Sequence, residues 1–151
     1  MDRLFVAVML LSIAGVAAWV LNRRTDADTP AGGRFAIPAQ LDRREFAGSG
    51  TPWLVAAFTS ATCDTCADLT LKVQALESAE VATDVVEVSA RSDLHRRYAI
   101  DAVPMVLVVD AEGVVRASFV GPVTATDLWA TVAEVREPGS IPDGCDHGQP
   151  G

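Results

Sequence analysis

The stretch FTSATCDTCADL, Phe58 to Leu69, decides how this chain is read. Cys63 and Cys66 stand three apart in it, after an apolar run and ahead of a segment with helical spacing. Upstream, WLVAAFT (Trp53 to Thr59) is continuously apolar, as a strand buried on both faces should be. Downstream, Cys66, Leu69, Val73 and Leu76 recur at spacings of three and four, while Asp68, Lys72 and Glu77 fall on the other side. That pattern predicts an amphipathic helix with one core-facing stripe. Cys63 is then expected in the first turn of that helix, where free N–H groups and the dipole favour a thiolate and make it the nucleophile. Cys66, one turn on, is within bridging reach and belongs to the apolar stripe, so it should be the more buried of the two. Thiol–disulfide exchange needs that asymmetry, an outer thiolate that attacks and an inner thiol that resolves.

The residues alone leave three readings open. A redox pair is favoured by the strand–CxxC–helix context. A metal site would combine Cys63 and Cys66 with Cys145 and His147 as a Cys₃His set, although a C-x-H spacing is tight for two ligands of one zinc, and copper would use the same thiols. Two structural core cysteines would suit Cys66 and suit Cys63 badly. His95, beside Arg96 and Arg97, reads as a surface residue, and Cys145 as an incidental free thiol.

The other segments continue an alternation of helix and strand. PAQLDRREFAG reads as a short helix carrying Leu41 and Phe46 inward, DVVEVS (Asp84 to Ser89) as a strand, and SDLHRRYAI as a helix capped by Ser92. MVLVVD (Met105 to Asp110) is a second wholly apolar run, and AEG turns it back with Gly113 free to take a positive φ. VVRASFV then alternates, placing Val115, Ala117 and Phe119 on one face. Thr124 and Asp127 make a capping box for a last helix with Leu128, Val132 and Val135 inward. The expected architecture is α/β, a central mixed sheet with helices on both faces.

The chain is 151 residues, one domain plus extras. From Leu4 to Leu21 every residue is apolar or small, Ser12 being the only hydroxyl. Eighteen helical residues at about 1.5 Å each span roughly 27 Å, enough for a transmembrane helix. Small residues in GVAAW would also suit a signal peptidase, but Trp19, Val20 and Leu21 carry the apolar run on to Asn22-Arg23-Arg24, so a retained anchor is expected. Residues 1–24 thus read as a single-pass membrane anchor, 25–34 as a Pro- and Gly-broken linker, 35–137 as the globular domain and 138–151 as a disordered tail. Arg3 before the span against Arg23 and Arg24 after it would by itself keep the domain cytoplasmic, by a margin of one residue. A net charge of −8 without any basic stripe argues against nucleic acid as a partner. One lysine against eleven arginines, with abundant alanine and valine, points to a GC-rich, bacterial coding sequence.

Over about Phe35 to Val135 the chain resembles the thioredoxin family. The resemblance rests on the order of elements, on Cys63-Asp64-Thr65-Cys66 after an apolar strand, and on YAIDAVPMVLVVD (Tyr98 to Asp110). It implies a thioredoxin-like fold, a redox disulfide between Cys63 and Cys66, and a cis bond between Val103 and Pro104, with the proline against the disulfide where it helps bind the substrate backbone. Thr62, Val103 and Met105 are then the neighbouring substrate-binding positions, and Gly121 matches the family's glycine near the site. No bound cofactor and no metal are implied; electrons would pass between protein disulfide substrates and an electron-donor protein. Four departures stand out. Thr62 replaces the usual Trp, and Asp64-Thr65 replaces Gly-Pro, which puts a negative charge beside the thiolate. Ala57 replaces a buried Asp that is thought to move the resolving thiol's proton. Met105 replaces the usual Thr and should make the groove more apolar. These changes are similar to those of membrane-tethered, specialised thioredoxin-like proteins, and imply an extracytoplasmic domain. Without the enzymatic activity the fold would be a binding module, or a thiolate carrier of Cu or Zn.

Overall fold

A computed structural model describes residues 35–140. The expected anchor over 4–21, the linker over 25–34 and residues 141–151 of the tail, with Cys145 and His147, lie outside the described residues. Among the described residues no helix is long and apolar enough to cross a membrane.

After a single 3-10 turn at Arg43–Glu45 come β1 (Trp53–Thr59), α1 (Cys66–Gln74), β2 (Val81–Glu87), α2 (Ser92–Arg97), β3 (Met105–Val109), β4 (Val115–Val120) and α3 (Ala125–Arg136). The four strands form one mixed sheet in the order β2-β1-β3-β4. β1 is parallel to β2 and antiparallel to β3, and β3 is antiparallel to β4. The two continuously apolar runs are the two inner strands, where both faces must be dry. Leu54 to Phe58 and Met105 to Val109 are all fully buried. Leu54, Ala56, Phe58, Leu107 and Val109 face one layer, made by Leu41, Phe46 and Leu94. Val55, Ala57, Val106 and Val108 face the other, made by Leu69 and Val73 of α1 and Leu128 and Val132 of α3. Thr124 caps α3 as the sequence predicts, accepting the Asp127 N–H at 3.1 Å. Gly113 closes the β3–β4 turn at φ 86°, and a Cβ there would fall 2.1 Å from the Leu41 carbonyl oxygen, so only glycine fits.

Several expectations are corrected. The first helix shrinks to its 3-10 turn, although Leu41 and Phe46 are buried as expected. β2 begins at Val81 and ends at Glu87, because it pairs with the full length of β1, Trp53 opposite Val81 and Thr59 opposite Glu87. Ser92 is the first residue of α2 rather than its cap; Arg91 precedes it, and its guanidinium holds both carboxylate oxygens of Asp84 at 2.9 Å. β4 does not keep Val115, Ala117 and Phe119 on one face. The register jumps between Val108 and Val109, leaving Arg116 as an extra residue, so Val115 joins the first layer while Ala117 and Phe119 join the second. The bulge lets Arg116 meet the buried Asp110 carboxylate at 2.6 Å.

His95 is not at the surface. It is 5 % exposed, its ring stands edge-on to Phe58 at 5.1 Å, and its Nε2 lies 2.9 Å from the Val86 carbonyl oxygen, so Nε2 carries the proton. His95→Ala is therefore expected to cost about 2–3 kcal/mol in a urea unfolding measurement, through a lost buried hydrogen bond and a cavity. A surface histidine would move stability by less than about 0.5 kcal/mol.

Candidate active site at one end of the sheet

The pairing register fixes what gathers at one end of the sheet. Thr59 ends β1 opposite Glu87, which ends β2; Met105 begins β3 opposite Phe58; and Val120 ends β4 opposite Met105. The segments leaving these strand ends are residues 60–65 with the first cysteine, residues 88–91, Val103-Pro104, and residues 121–123. Gly121 donates to the Pro104 carbonyl at 2.8 Å, at φ 92°, where a side-chain-bearing residue would be strained. The Val103–Pro104 bond is cis.

Cys63 and Cys66 form a disulfide, with Cα atoms 5.4 Å apart. Their surroundings differ as the amphipathic pattern predicts: Cys63 is half-buried, whereas Cys66 is 4 % exposed at the head of the stripe that continues through Leu69 and Val73. One expectation needs correcting. Cys63 is not in the first turn of α1 but in the turn before it, because Thr65 is the N-cap and Cys66 the first helical residue. The turn is closed by Cys63 N–H to the Ser60 carbonyl at 3.1 Å and Cys66 N–H to the Cys63 carbonyl at 3.2 Å. The Thr65 hydroxyl lies 3.7 Å from the Cys63 sulfur, and Asp68 in the first helical turn is balanced by Lys72 at 2.5 Å. Cys63 thus still sits at the positive end of the helix.

Thr62 is exposed, Val103 half-buried and Pro104 buried. Met105 is fully buried in the first core layer, so its side chain is core and not, as its position in the motif suggests, an apolar groove surface. The inward β1 position Ala57 is fully buried among Leu69, Val106 and Val108 and carries no proton-moving group. The one buried carboxylate among the described residues, Asp110, follows the other end of β3 and is held by Arg116 and by the Glu112 and Val114 N–H groups. Among the described residues no three His, Cys, Asp or Glu side chains converge to hold a metal ion. A hollow of about 530 Å³, lined by Gln40, Asp42, Tyr98 and Glu112, lies at the β3–β4 turn, at the opposite end of the sheet from the cysteines.

One participant escapes sequence reading. The Glu87 carboxylate accepts the Ala61 N–H at 3.2 Å, the Ser89 and Ala90 N–H groups at 2.8 and 3.0 Å, and the Ser89 hydroxyl. These donors, the Ser89 hydroxyl foremost, hold its carboxyl below the ordinary 4.5 against a smaller opposing effect of burial. A pKa lowered by folding means that the contribution of these bonds is complete above about pH 4.5 and is lost as pH falls through the lower folded value. A carboxyl NMR titration should give Glu87 a midpoint below 4.5 that Ser89→Ala brings back up.

A model of a thioredoxin-like domain matches residues 39–136. Among solved structures, a mutant thioredoxin of Halobacterium salinarum is 22% identical with a TM-score of 0.53, over 59% of this chain and 79% of that one. The thioredoxin of Fasciola hepatica is 25% identical with a TM-score of 0.50, over 57% and 83%. The germline-specific thioredoxin Deadhead of Drosophila melanogaster is 20% identical with a TM-score of 0.50, over the same shares. No curated protein matches.

The unequal exposure of the two sulfurs has a direct consequence. After reduction, Cys63 should alkylate at least about tenfold faster than Cys66, read as mass-tagged peptides over a time course, because reactivity follows access and thiolate content.

Proposed function

The chain belongs to the thioredoxin-like domain family, and on that footing we propose that it is a membrane-anchored thiol–disulfide oxidoreductase acting on protein disulfides. The observation that carries this is the Cys63–Cys66 disulfide, in which Cys63 is half-buried and Cys66, the first residue of α1, is buried. A structural cross-link has no need of that difference, whereas exchange does.

In the reducing direction, the Cys63 thiolate attacks one sulfur of a substrate disulfide, forming a mixed disulfide and expelling the substrate's other thiolate. Cys66, losing its proton, then attacks the Cys63 sulfur and releases the remaining substrate thiolate. The pair is left oxidised by two electrons, and a partner protein with its own dithiol reverses that change. With alanine at position 57, Cys66 gives its proton to water or to the departing substrate thiolate, which favours a slow second step and a specialised substrate over broad reductase activity. Thr62, Val103 and Pro104 are the residues proposed to hold the substrate chain. The apolar span over 4–21 is proposed to tether the domain on the extracytoplasmic side of the membrane.

The test is a redox titration of the full chain carrying Cys145→Ser in glutathione buffers, with thiols read by alkylation and mass. A reversible two-electron transition confined to Cys63 and Cys66 is expected. Cys63→Ser should abolish disulfide reductase activity, and Cys66→Ser should accumulate mixed disulfides with substrate proteins. Without a reversible transition the enzyme reading fails and a non-catalytic binding module takes its place. Stoichiometric Cu(I) or Zn binding lost in Cys63→Ser would instead identify a metal carrier.

A further inference from the structure

We propose that Glu87 is a positioning residue for the redox loop: by tying Ala61 to the end of β2, it biases the Cys63–Cys66 pair toward the disulfide. The inference rests on the redox reading of that pair and adds a residue to it.

Glu87 ends β2 as the ladder partner of Thr59, the last residue of β1 before the loop. One carboxylate oxygen accepts the Ala61 N–H, two residues before Cys63, and the other accepts the Ser89 and Ala90 N–H groups and the Ser89 hydroxyl. A single side chain thus joins the loop after β1 to the turn after β2. Other hydrogen bonds of residues 60–65 are local. Cys63 N–H meets the Ser60 carbonyl, Thr62 N–H meets the Ser60 hydroxyl at 3.3 Å, and the Ser60 and Thr62 hydroxyls meet at 3.0 Å. Such bonds travel with the loop if it moves. Among the described residues, the Ala61–Glu87 bond is the one hydrogen bond from residues 60–65 that reaches beyond the loop and α1.

Two physical effects of this contact act in one direction. A disulfide closes only over a narrow range of Cβ separation, so a loop held in place raises the effective concentration of one thiol at the other. A carboxylate held on the Ala61 N–H, in the loop that carries Cys63, disfavours a thiolate on that loop, and so disfavours the reduced, thiolate-bearing form. Removing Glu87 therefore shifts the pair toward the dithiol. In a glutathione buffer that shift is measured on a balanced reaction. One glutathione thiolate opens the protein disulfide to a mixed disulfide; a second attacks the glutathione sulfur of that mixed disulfide, breaking its bond to the protein sulfur, and the two glutathiones leave together as glutathione disulfide. Two electrons and two protons end on the protein.

The experiment compares the full chain carrying Cys145→Ser with the same chain further carrying Glu87→Ala, Glu87→Asp or Glu87→Gln. It reads the glutathione equilibrium constant, the pH profile of Cys63 alkylation and the thermal melt of each. Glu87→Ala should move the equilibrium about fivefold toward the dithiol, the scale of one hydrogen bond. Glu87→Asp keeps the charge but is one methylene too short to hold both sides, and should move it nearly as far. Glu87→Gln keeps length and one acceptor oxygen and should fall between the parent and Glu87→Ala. The alkylation profile should shift to lower pH in Glu87→Ala and Glu87→Gln, a change that a merely structural role would not produce. The proposal is overturned if folded Glu87→Ala has the parent's equilibrium constant, or if Glu87→Asp behaves as the parent while Glu87→Ala does not, since charge alone would then act. Should Glu87→Ala fail to fold, Glu87→Asp and Glu87→Gln decide by the same criteria. A parent chain with no reversible transition overturns the redox reading and this proposal with it; a parent that titrates normally beside unchanged variants overturns this proposal alone.

Discussion

The rest of the structure depends on the double burial of β1. Its residues after Trp53 are all buried, with Leu54, Ala56 and Phe58 in one apolar layer and Val55 and Ala57 in the other. A strand dry on both faces must satisfy its backbone on both edges, and β2 and β3 do so along its length. The end of β1 is therefore a rigid point. The loop with Cys63 leaves from that point, and α1 returns over it with Cys66, Leu69 and Val73 turned inward. The two sulfurs differ in exposure because one belongs to the loop and the other to the buried stripe of the helix.

The chemistry at this end depends on what surrounds the pair as much as on the pair. Ala57 leaves the inner side of β1 without a carboxylate, and the buried Asp110 is committed to Arg116 and the β3–β4 turn. The acid that does lie near the loop, Glu87, faces outward and is saturated by N–H and hydroxyl donors. A carboxylate so engaged is a fixture rather than a proton carrier, because each donor it accepts stabilises its charged form.

The same rigid frame explains why Met105 is buried. It starts β3 directly opposite Phe58 and Val120, so its side chain is committed to the core beside Phe58. The neighbouring Val103 and Pro104 precede the strand, and Pro104 is tied to β4 through its carbonyl and Gly121. Of the loop residues at this end, Thr62 is exposed, and Cys63 and Val103 are half-buried.

Much of this was legible in the chain itself, because local pattern carries it. Two uninterrupted apolar runs marked the inner strands, the Cys66–Leu69–Val73 spacing marked the buried face of α1, and Thr124 with Asp127 marked the start of α3. The greater burial of Cys66 than of Cys63 followed from the same spacing. What local pattern cannot carry is any decision made by residues distant in the chain. His95 looks like a surface residue beside two arginines, and is drawn inside because Phe58 and the Val86 carbonyl offer it a ring and an acceptor. The bulge at Arg116 exists because the Asp110 carboxylate awaits that guanidinium, which splits an otherwise regular alternation between two core layers. The contact between Glu87 and Ala61 carries no local signal, since the two residues lie 26 apart in the chain. Periodicity and spacing thus determined the elements and the reactive pair, and tertiary packing alone decided which polar groups are buried, where the register slips and what holds the redox loop in place, because each of those is a contact between segments the sequence keeps apart.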